Sequence, residues 1–352
     1  MRIRAGATAI VVGAAVSALA ACGGGGGSTG ASTTAGTTQA EGNASNVKAC
    51  LVSDVGRFND KGFNQLQLTG LRKAAADLGI KTKTAESHAA GDYIPNLSSC
   101  ARAGYDITIA AGFLLADAIN TVAKQFPKQN FAITDYSALG PPFNGKTKNV
   151  AGLTYATQEN SYLVGCLAGL MLNKQGGKQL TGVVGGVKIP PVDSFIAGYQ
   201  AGIAKCNPKA KVVVGYSQDF IDQAKCKTVG QNQISQGSQI EFAVAGPCGL
   251  GALDAAKQAK IWGIGVDTDQ SFLGPHILTS AVKRVDTGIF LTVKSVMDGT
   301  FKGGKDLVFN LENDGVGLGK ISPKVPQEFL DRIDDLKQQI IDGKITPPAT
   351  VK

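Results

Sequence analysis

The sequence predicts an α/β fold made of two lobes, and three observations support this prediction. Short strands rich in valine, isoleucine and alanine alternate with helical segments along most of the chain. The alternation restarts after residue 155, so that two successive blocks are present. Glycine or aspartate follows nearly every predicted strand. Such alternation is typical of parallel sheets covered by helices on both faces, and two blocks therefore indicate two such lobes.

The first block contains five predicted strands and three predicted helices. Apolar residues at helical spacing mark the first helix, which Gly79 is expected to end, and Pro127 ends the third. The predicted strands are 48–53, 80–84, 106–110, 131–134 and 150–155, and the predicted helices are 62–78, 93–103 and 114–125.

The second block continues the same rhythm. Its predicted helices are 159–173, 193–205, 221–236 and 249–259, and its predicted strands are 180–184, 211–216, 240–245, 261–266 and 277–282. Beyond it we predict a helix at 287–298, a glycine-rich stretch to residue 319 and a polar helix at 326–342. Pro347 and Pro348 end any regular structure.

These elements predict a ligand cleft between the lobes. Ligands of open α/β sheets bind beyond the carboxyl ends of the strands. The residues at those ends are 54–64, Gly112, Phe113, Asp135, Gly185, Gly186, Gly246 and Asp267. Glycine allows a ligand to approach the backbone closely and aspartate offers polar contacts, so we expect these residues to line the cleft.

The N-terminus has the pattern of an export signal. Arg2 and Arg4 precede an uncharged apolar run, residues 5–18, which is too short to span a bilayer stably. Residues 19–22, Leu-Ala-Ala-Cys, resemble a lipobox, the cleavage site after which the exposed cysteine is acylated. We therefore predict a lipoprotein signal peptide at 1–21, with acyl chains such as palmitate on Cys22 anchoring the protein to an extracytoplasmic membrane face. A plain secretory signal with an incidental cysteine is the alternative.

Residues 22–47 are predicted to form the lipidated cysteine and a flexible tether. The segment after Cys22 is almost wholly Gly, Ser, Thr, Ala and Asn, which cannot bury enough apolar surface to offset the entropy of ordering. Without the signal the chain carries 33 basic and 27 acidic residues, a net charge of +6. Its lysines are scattered without a run or interleaved aromatic residues, so no nucleic acid partner is expected.

The six remaining cysteines predict three disulfide bonds, as is usual for exported proteins. Fifteen pairings are possible. Pairing of sequence neighbours keeps each bridge within one lobe, and it gives Cys50–Cys100, Cys166–Cys206 and Cys226–Cys248. We expect neither a metal site nor a cofactor, because no Cys-x-x-Cys pair occurs and the chain has two histidines.

The sequence supports neither of two common enzyme sites, a phosphate-binding P-loop and a Ser-His-Asp site. Residues 140–147 match the letters of a P-loop, but two prolines remove N–H donors and residues 148–155 continue as a strand. His88 and His276 have no nucleophile and orienting acid nearby in the sequence for a Ser-His-Asp site. We therefore do not expect an enzyme.

The residues that follow the first strand carry a family resemblance. Residues 54–65, Asp-Val-Gly-Arg-Phe-Asn-Asp-Lys-Gly-Phe-Asn-Gln, resemble the DxGxxxDKSFNQ signature of the basic membrane protein (PnrA-like) family. Further matches are 112–113, 131–135, 195–199, 263–270 and 277–283. Members of that family are substrate-binding lipoproteins of ABC importers and include purine-nucleoside receptors. The resemblance covers roughly residues 48–345.

The resemblance implies a type I periplasmic-binding-protein fold, with two doubly wound lobes joined by three crossovers. The crossovers are expected near 153–158, 278–284 and 308–316. The first lobe is expected to contain 48–155 and 283–308, and the second 156–278 and 315–345.

The resemblance also implies a set of ligand-binding residues. In the nucleoside receptors of this family, acidic side chains and a lysine hold the ribose hydroxyls while aromatic rings sandwich the base. Carried over by position, the set is Asn59, Asp60, Phe63, Asn64, Phe113, Asp135, Phe195, Gly246, Asp267 and Lys283. Asp267 and Lys283 are expected on the ribose side, since a carboxylate accepts hydrogen bonds from a diol and a lysine neutralises its buried charge.

Alternative roles remain open for some of these residues. Asp60 is also a candidate N-cap of the helix that follows it, and Phe195 a candidate for ordinary helix packing. The family often carries tryptophan at the position of Leu68. If that position supplies the first-lobe stacking ring, Phe58 or Phe113 would have to replace it here.

The expected function is that of a receptor which captures a nucleoside, purine or pyrimidine, and delivers it to an ABC permease in the membrane. A receptor for another sugar-like or furanose solute is the first alternative. An exported nucleoside hydrolase is the second, although the sequence lacks the metal cluster that such hydrolysis uses.

Overall fold

Strands and helices alternate through residues 46–351, the part of the chain that this computed structural model describes. The predicted signal peptide, Cys22 and most of the predicted tether lie outside the described residues. The strands are β1 (Lys48–Ser53), β2 (Lys81–Ala85), β3 (Ile107–Ala111), β4 (Asn130–Thr134), β5 (Val150–Tyr155), β6 (Leu180–Gly185), β7 (Lys211–Tyr216), β8 (Ile240–Val244), β9 (Trp262–Asp267), β10 (Ile277–Lys283), β11 (Asp306–Phe309) and β12 (Val316–Leu318). The α-helices are α1 (Phe63–Leu78), α2 (Tyr93–Arg102), α3 (Ala116–Gln125), α4 (Thr157–Gln175), α5 (Pro190–Cys206), α6 (Gln223–Ser235), α7 (Gly249–Gln258), α8 (Val285–Met297) and α9 (Gln327–Ile341).

The strands form two six-stranded sheets with the same winding order. The first runs β2-β1-β3-β4-β5-β11 and the second runs β7-β6-β8-β9-β10-β12. All neighbours pair in parallel except β12, which is antiparallel to β10. The chain passes between the sheets three times, at 155–157, 283–285 and 309–316. The predicted α/β fold of two doubly wound lobes with three crossovers is therefore confirmed.

The inner strands are almost wholly apolar because helices cover both faces of each sheet. In β1, Ala49 and Leu51 belong to the core shared with α1 and α8, whereas Cys50 and Val52 belong to the core shared with α2 and α3. Such strands read as continuous apolar runs, which is why the sequence predicted them well. At the end of α1, Gly79 adopts the left-handed conformation, with φ 64°, and ends the helix as predicted.

Two strands at the outer edges of the sheets were not predicted. β11 and β12 lie in or beside the glycine-rich stretch, for which the sequence predicts no regular structure. Each is short and gains its partner from a distant part of the chain, so local periodicity does not reveal it. None of the helices among the described residues is long and apolar enough to cross a membrane.

Three disulfide bonds join the predicted partners. They are Cys50–Cys100, Cys166–Cys206 and Cys226–Cys248. The first joins β1 to α2, the second α4 to the end of α5, and the third α6 to the residue that precedes α7. Each bridge stays within one lobe, so none of them restricts motion of one lobe against the other.

One buried carboxyl group lies in the second sheet without a role in ligand binding. Glu241 on β8 is 0% exposed and faces Gly182 of the neighbouring strand β6. Burial raises its pKa to about 8, although an interaction with the Ser238 side chain acts in the opposite direction. The folded protein therefore keeps this carboxyl group protonated at neutral pH, whereas the unfolded chain does not.

The stability of the protein is expected to fall as the pH rises from the unfolded pKa of Glu241, 4.5, to the folded pKa of about 8. In this window folding takes up a proton, so the stabilising contribution is complete below the window and decreases by up to about 1.4 kcal/mol per pH unit within it. Glu241→Gln keeps the shape of the side chain but cannot titrate. The free energy of unfolding, measured by urea unfolding at several pH values, should therefore depend less on pH in this variant. Glu312→Gln, at an exposed residue, is the matched control. An equal pH dependence of the free energy of unfolding in Glu241→Gln and in the parent protein would contradict the raised pKa of Glu241.

Candidate functional site

A cavity of about 620 Å³ lies between the lobes, at the carboxyl ends of both sheets. Its walls come from the segments after β1, β3 and β4 in the first lobe and after β6, β7, β8, β9 and β10 in the second. The position agrees with the cleft that the strand ends predict.

Nine of the ten residues that the sequence singled out line this cavity. They are Asp60, Phe63, Asn64, Phe113, Asp135, Phe195, Gly246, Asp267 and Lys283. Asn59 does not line it and is exposed. The neighbouring carboxylate of Asp60 turns inward to bind the backbone of the α1 start, which leaves Asn59 on the outside of the turn.

Equivalent positions of the two sheets supply matching parts of the site. Asp135 follows β4 and Asp267 ends β9, its counterpart in the second sheet. Both have left-handed backbones, with φ 58° and 65°. Gly112 after β3 and Gly246 after β8 are also counterparts with positive φ. Aspartate and glycine tolerate this conformation better than most residues, so these residue types suit the turn as well as the cavity.

The centre of the cavity holds one lysine between two carboxylates. Lys283 Nζ lies 2.7 Å from Asp135 Oδ2 and 3.2 Å from Asp267 Oδ1. Lys283 is 3% exposed and Asp267 is 6% exposed. Because Asp135 belongs to the first lobe and Lys283 to the second, this ion pair joins the lobes across the cavity.

Burial and charge compete at this centre. Burial lowers the pKa of Lys283, but the two carboxylates outweigh it, so the pKa lies above its usual value and the ammonium group stays charged. Burial, together with the charges of Asp135 and Asp60, holds the pKa of Asp267 above its usual value although Lys283 lowers it. The result is a buried, charged centre, in which hydrogen bonds to a ligand are stronger than in water.

Two further acids stand on the first-lobe wall. Asp54 accepts hydrogen bonds from Asn64 Nδ2 at 2.7 Å and from the Gly56 N–H at 2.8 Å. Burial nevertheless raises the pKa of Asp54 to about 6. Asp60 accepts backbone N–H bonds from Gly62, Asn64 and Gln65 at the start of α1. The N-cap position of α1 is Gly62 and not Asp60, but the Asp60 side chain accepts the N–H groups of the first turn in its place. The same side chain lines the cavity.

Aromatic rings surround the ammonium group of Lys283. Its Nζ lies 4.5 Å from the ring centroid of Phe63, 5.3 Å from that of Phe195 and 5.9 Å from that of Tyr155. Phe195 also packs edge-on against Phe242 in the second-lobe core, so helix packing and cavity lining coexist. These rings supply both cation–π stabilisation and flat apolar faces.

Of the three positions considered for a further aromatic ring in the first-lobe wall, one lines the cavity. Phe113 lines the cavity and packs on Tyr136 with ring centroids 4.7 Å apart. Leu68 and Phe58 do not line it. Leucine at position 68, where the family often carries tryptophan, is therefore not part of the cavity wall.

Sequence reasoning missed part of the second-lobe wall. Ile189, Pro191 and Val192 at the start of α5 line the cavity, as do Phe220 and Pro247. The first three and Phe220 lie several residues beyond the strand ends, where the strand-end rule no longer selects them. The proline pair that opens α5 was the available signal, since proline is common in the first helical turn.

The described residues contain no group of three or more His, Cys, Asp and Glu side chains placed to hold a metal ion. The arrangement can neutralise charge, donate and accept hydrogen bonds and stack on flat rings. These are the properties of a site that recognises a polar ligand with a planar apolar part.

Two sheets of the same winding, with a charged and aromatic cavity between them, define a solute-binding protein of the type I periplasmic fold. The chain belongs to the family described as ABC transporter substrate-binding protein PnrA-like, whose profile matches residues 47–350. The resemblance carried by the residues after β1 is thereby confirmed.

Individual relatives and structures agree with this family. The chain is 33% identical to the ABC transporter nucleoside-binding protein BmpA of Lactococcus lactis, over 87% of this chain and 90% of that protein. It is 31% identical to basic membrane protein A of Borreliella burgdorferi, over 86% of this chain and 88% of that protein. An ABC transporter solute-binding protein from Aeropyrum pernix superimposes with a TM-score of 0.78 at 26% identity, covering 87% of this chain and 94% of that chain.

Proposed function

We propose that this protein captures a nucleoside in the interlobe cavity and delivers it to an ABC permease, without making or breaking a bond in its ligand. The observation that carries the proposal is the combination of a buried Asp–Lys–Asp centre with aromatic rings in one cavity. The centre suits the hydroxyl groups of a ribose and the rings suit a base. The name of the Lactococcus lactis relative, a nucleoside-binding protein, supports the same ligand class.

The ribose is proposed to bind at Asp267, Lys283 and Asp135. A carboxylate accepts two hydrogen bonds from neighbouring hydroxyl groups, and an ammonium group donates to a hydroxyl or ring oxygen. Gly246 has no side chain and a positive φ, so the ligand can approach its backbone closely.

The base is proposed to lie between Phe63 of the first lobe and Phe195 of the second, with Phe113 nearby. An aromatic ring binds the face of any nucleobase, so the rings supply affinity more than selectivity. Asp60 and Asn64 then offer polar contacts from the first lobe. Asn59 is left out of the proposed site because it does not reach the cavity.

Contacts from both lobes are proposed to favour the closed state. A ligand shifts an open–closed equilibrium by as much as it binds the closed form more tightly. Lobe boundaries of 48–155 with 283–308 and 156–278 with 315–345 are proposed for this motion. Sheet membership supports them except at Lys283, which ends β10 of the second sheet.

The proposal includes the location of the protein. Residues 1–21 would be removed as a signal peptide and Cys22 would carry acyl chains at the cell membrane. Residues 22–47 would then connect this anchor to β1 of the first lobe. The receptor would thus be held near its permease on the extracytoplasmic side.

Calorimetry with a ligand panel tests the proposal directly. The protein is unfolded, freed of bound small molecules, refolded and titrated with purine and pyrimidine nucleosides, free bases and ribose. At least one nucleoside is expected to bind with a Kd of about 1 μM or below, near −8 kcal/mol. Ribose binding as tight as that of every nucleoside would reject the nucleoside class, and release of free base on incubation would show an enzyme.

Asp267→Asn is expected to weaken nucleoside binding by about 100-fold or more, because a neutral amide replaces a charged acceptor in a buried site. Asparagine is chosen because it tolerates the left-handed backbone of Asp267. Asp314→Asn is the matched control, since Asp314 has φ 55° and a side chain that is 88% exposed. An unchanged Kd in Asp267→Asn would remove this residue from the site.

A further inference from the structure

The end of the second lobe opposite the cavity carries a cluster of lysines that we call the distal lysine face. Its members lie at the amino ends of β6, β7 and β9, at the carboxyl ends of α4, α5 and α7, and before α9. They are Lys174, Lys178, Lys205, Lys209, Lys211, Lys257, Lys260 and Lys324. All eight are exposed, and none forms an ion pair with an acidic side chain among the described residues.

A groove of about 840 Å³ crosses this face. Lys257, Lys260 and Lys324 line it together with Trp262, Pro275 and His276, and its lining contains no acidic residue. Trp262 is 8% exposed, and the Nζ of Lys324 lies 5.6 Å from the centroid of one of its rings. The groove therefore combines three positive charges with an apolar wall.

His276 adds an unsatisfied polar group beside these lysines. Both of its ring nitrogens are shielded from solvent and neither meets the geometry of a hydrogen bond, although the Leu253 backbone lies near. Burial, followed by the charge of Lys257, holds the pKa of His276 below its usual value. A buried donor without an acceptor is costly. Because both ring nitrogens are shielded, the ring would have to turn toward the groove before a ligand oxygen could relieve that cost.

We infer that this groove is a second binding site, which takes the phosphate group of a phosphate ester. Three ammonium groups that form no ion pair with an acidic side chain of the described residues favour a compact anion with more than one negative charge. Lysine binds phosphate as a point charge, whereas a carboxylate ligand would favour the two-pronged contact of arginine, which the groove lacks. Trp262 and Pro275 would contact the organic part of the ester.

The site is independent of the proposed nucleoside cavity because it lies at the other end of the strands of the second lobe. A phosphate ester could reach it as a soluble molecule or as the headgroup of an anionic phospholipid, and both present the same chemistry. The experiment therefore has two arms, glycerol 3-phosphate and vesicles that contain phosphatidylglycerol. Vesicles of phosphatidylcholine alone and sodium chloride at matched ionic strength are the reference ligands.

Trp262 is the one tryptophan of the sequence, so intrinsic fluorescence reports on this groove. We use the chain without residues 1–21 and with Cys22→Ala, so that neither the apolar signal segment nor an acyl chain on Cys22 can account for vesicle binding. Glycerol 3-phosphate, anionic vesicles or both are expected to change the emission with a saturable curve. Saturation by only one of them identifies the source of the phosphate.

Paired variants separate the groove from general charge. Lys257→Ala with Lys324→Ala is expected to weaken the interaction by about tenfold or more, a change of about 1.4 kcal/mol. Lys209→Ala with Lys211→Ala removes the same charge from the distal lysine face outside the groove. This pair should change the affinity for the phosphate ligand by less than about twofold. Equal effects of the two pairs, or an emission change that sodium chloride reproduces, would overturn the inference. Nucleoside binding should be the same in both pairs.

Discussion

Lys283→Met is expected to lower the free energy of unfolding by about 3–5 kcal/mol, the usual effect of removing one partner from a buried ion pair. Methionine has a similar length and preserves contact with the rings of Phe63 and Phe195. The loss therefore comes from the charge. Asp135 and Asp267 would face each other in a buried site without the ammonium group that now lies 2.7 Å and 3.2 Å from them.

The pH dependence of this loss identifies its cause. The pKa of Asp267 is already raised by burial, and without Lys283 it rises further, so protonation would relieve part of the repulsion. The variant should therefore lose less stability near pH 5 than near pH 8, as measured by urea unfolding at each pH. A loss that does not change with pH would point to packing instead.

A double variant tests the same reasoning independently. Lys283→Met with Asp267→Asn removes one of the two unpaired charges, so it should be more stable than Lys283→Met alone. Lys294→Met, which breaks an exposed pair with Asp298, is the control and should cost less than about 1 kcal/mol. Additive losses in the double variant would show that the three side chains do not act as one charged centre.

Most of the fold was predictable because local sequence patterns specify its strands and helices. Buried parallel strands such as β1 and β9 are continuous apolar runs, and the helices between them end at recognisable residues such as Gly79. β11 and β12 were not predictable in this way. β12 pairs with β10, which lies more than 30 residues earlier in the chain. β11 pairs with β5, which lies more than 150 residues earlier.

The candidate site was predictable where the strand-end rule applies and not beyond it. Asp135 and Asp267 were found because they follow strands directly, at equivalent places in the two sheets. Asn59 lies outside the cavity lining because the direction of a side chain within a turn depends on hydrogen bonds such as those of Asp60, which sequence does not show. Phe220 was missed because its position is set by the path of the loop after β7.

The distribution of charge on the surface was still harder to predict from the sequence. The lysines of the distal lysine face are separated by up to 150 positions, from Lys174 to Lys324, and looked scattered in the sequence. They meet because every parallel strand of the second sheet starts at the same edge. A surface of one charge sign can therefore be invisible in a chain whose linear charge pattern is mixed.

Gly202→Ala is expected to destabilise the protein by about 2–3 kcal/mol or more, although alanine is the better helix former. A Cβ atom at Gly202 on α5 would lie 2.0 Å from the carbonyl oxygen of Tyr162 on α4. Gly165 and Gly198 have the same relation to the opposite helix, with distances of 2.2 Å each to a backbone oxygen. The two helices thus touch backbone to backbone, and neither can yield to a new methyl group without separating.

Gly230→Ala is the matched control, because it makes the same change inside α6, where the nearest atom would lie at an ordinary 3.5 Å. It should stabilise the protein by up to about 1 kcal/mol through helix propensity alone. Urea unfolding should therefore move the two variants in opposite directions. Because α5 also carries Phe195, separation of the helices in Gly202→Ala should weaken nucleoside binding, while Gly230→Ala leaves it unchanged. Stabilisation by both substitutions would mean that α4 and α5 are not in close contact in solution, and the second-lobe wall of the cavity would then need another support.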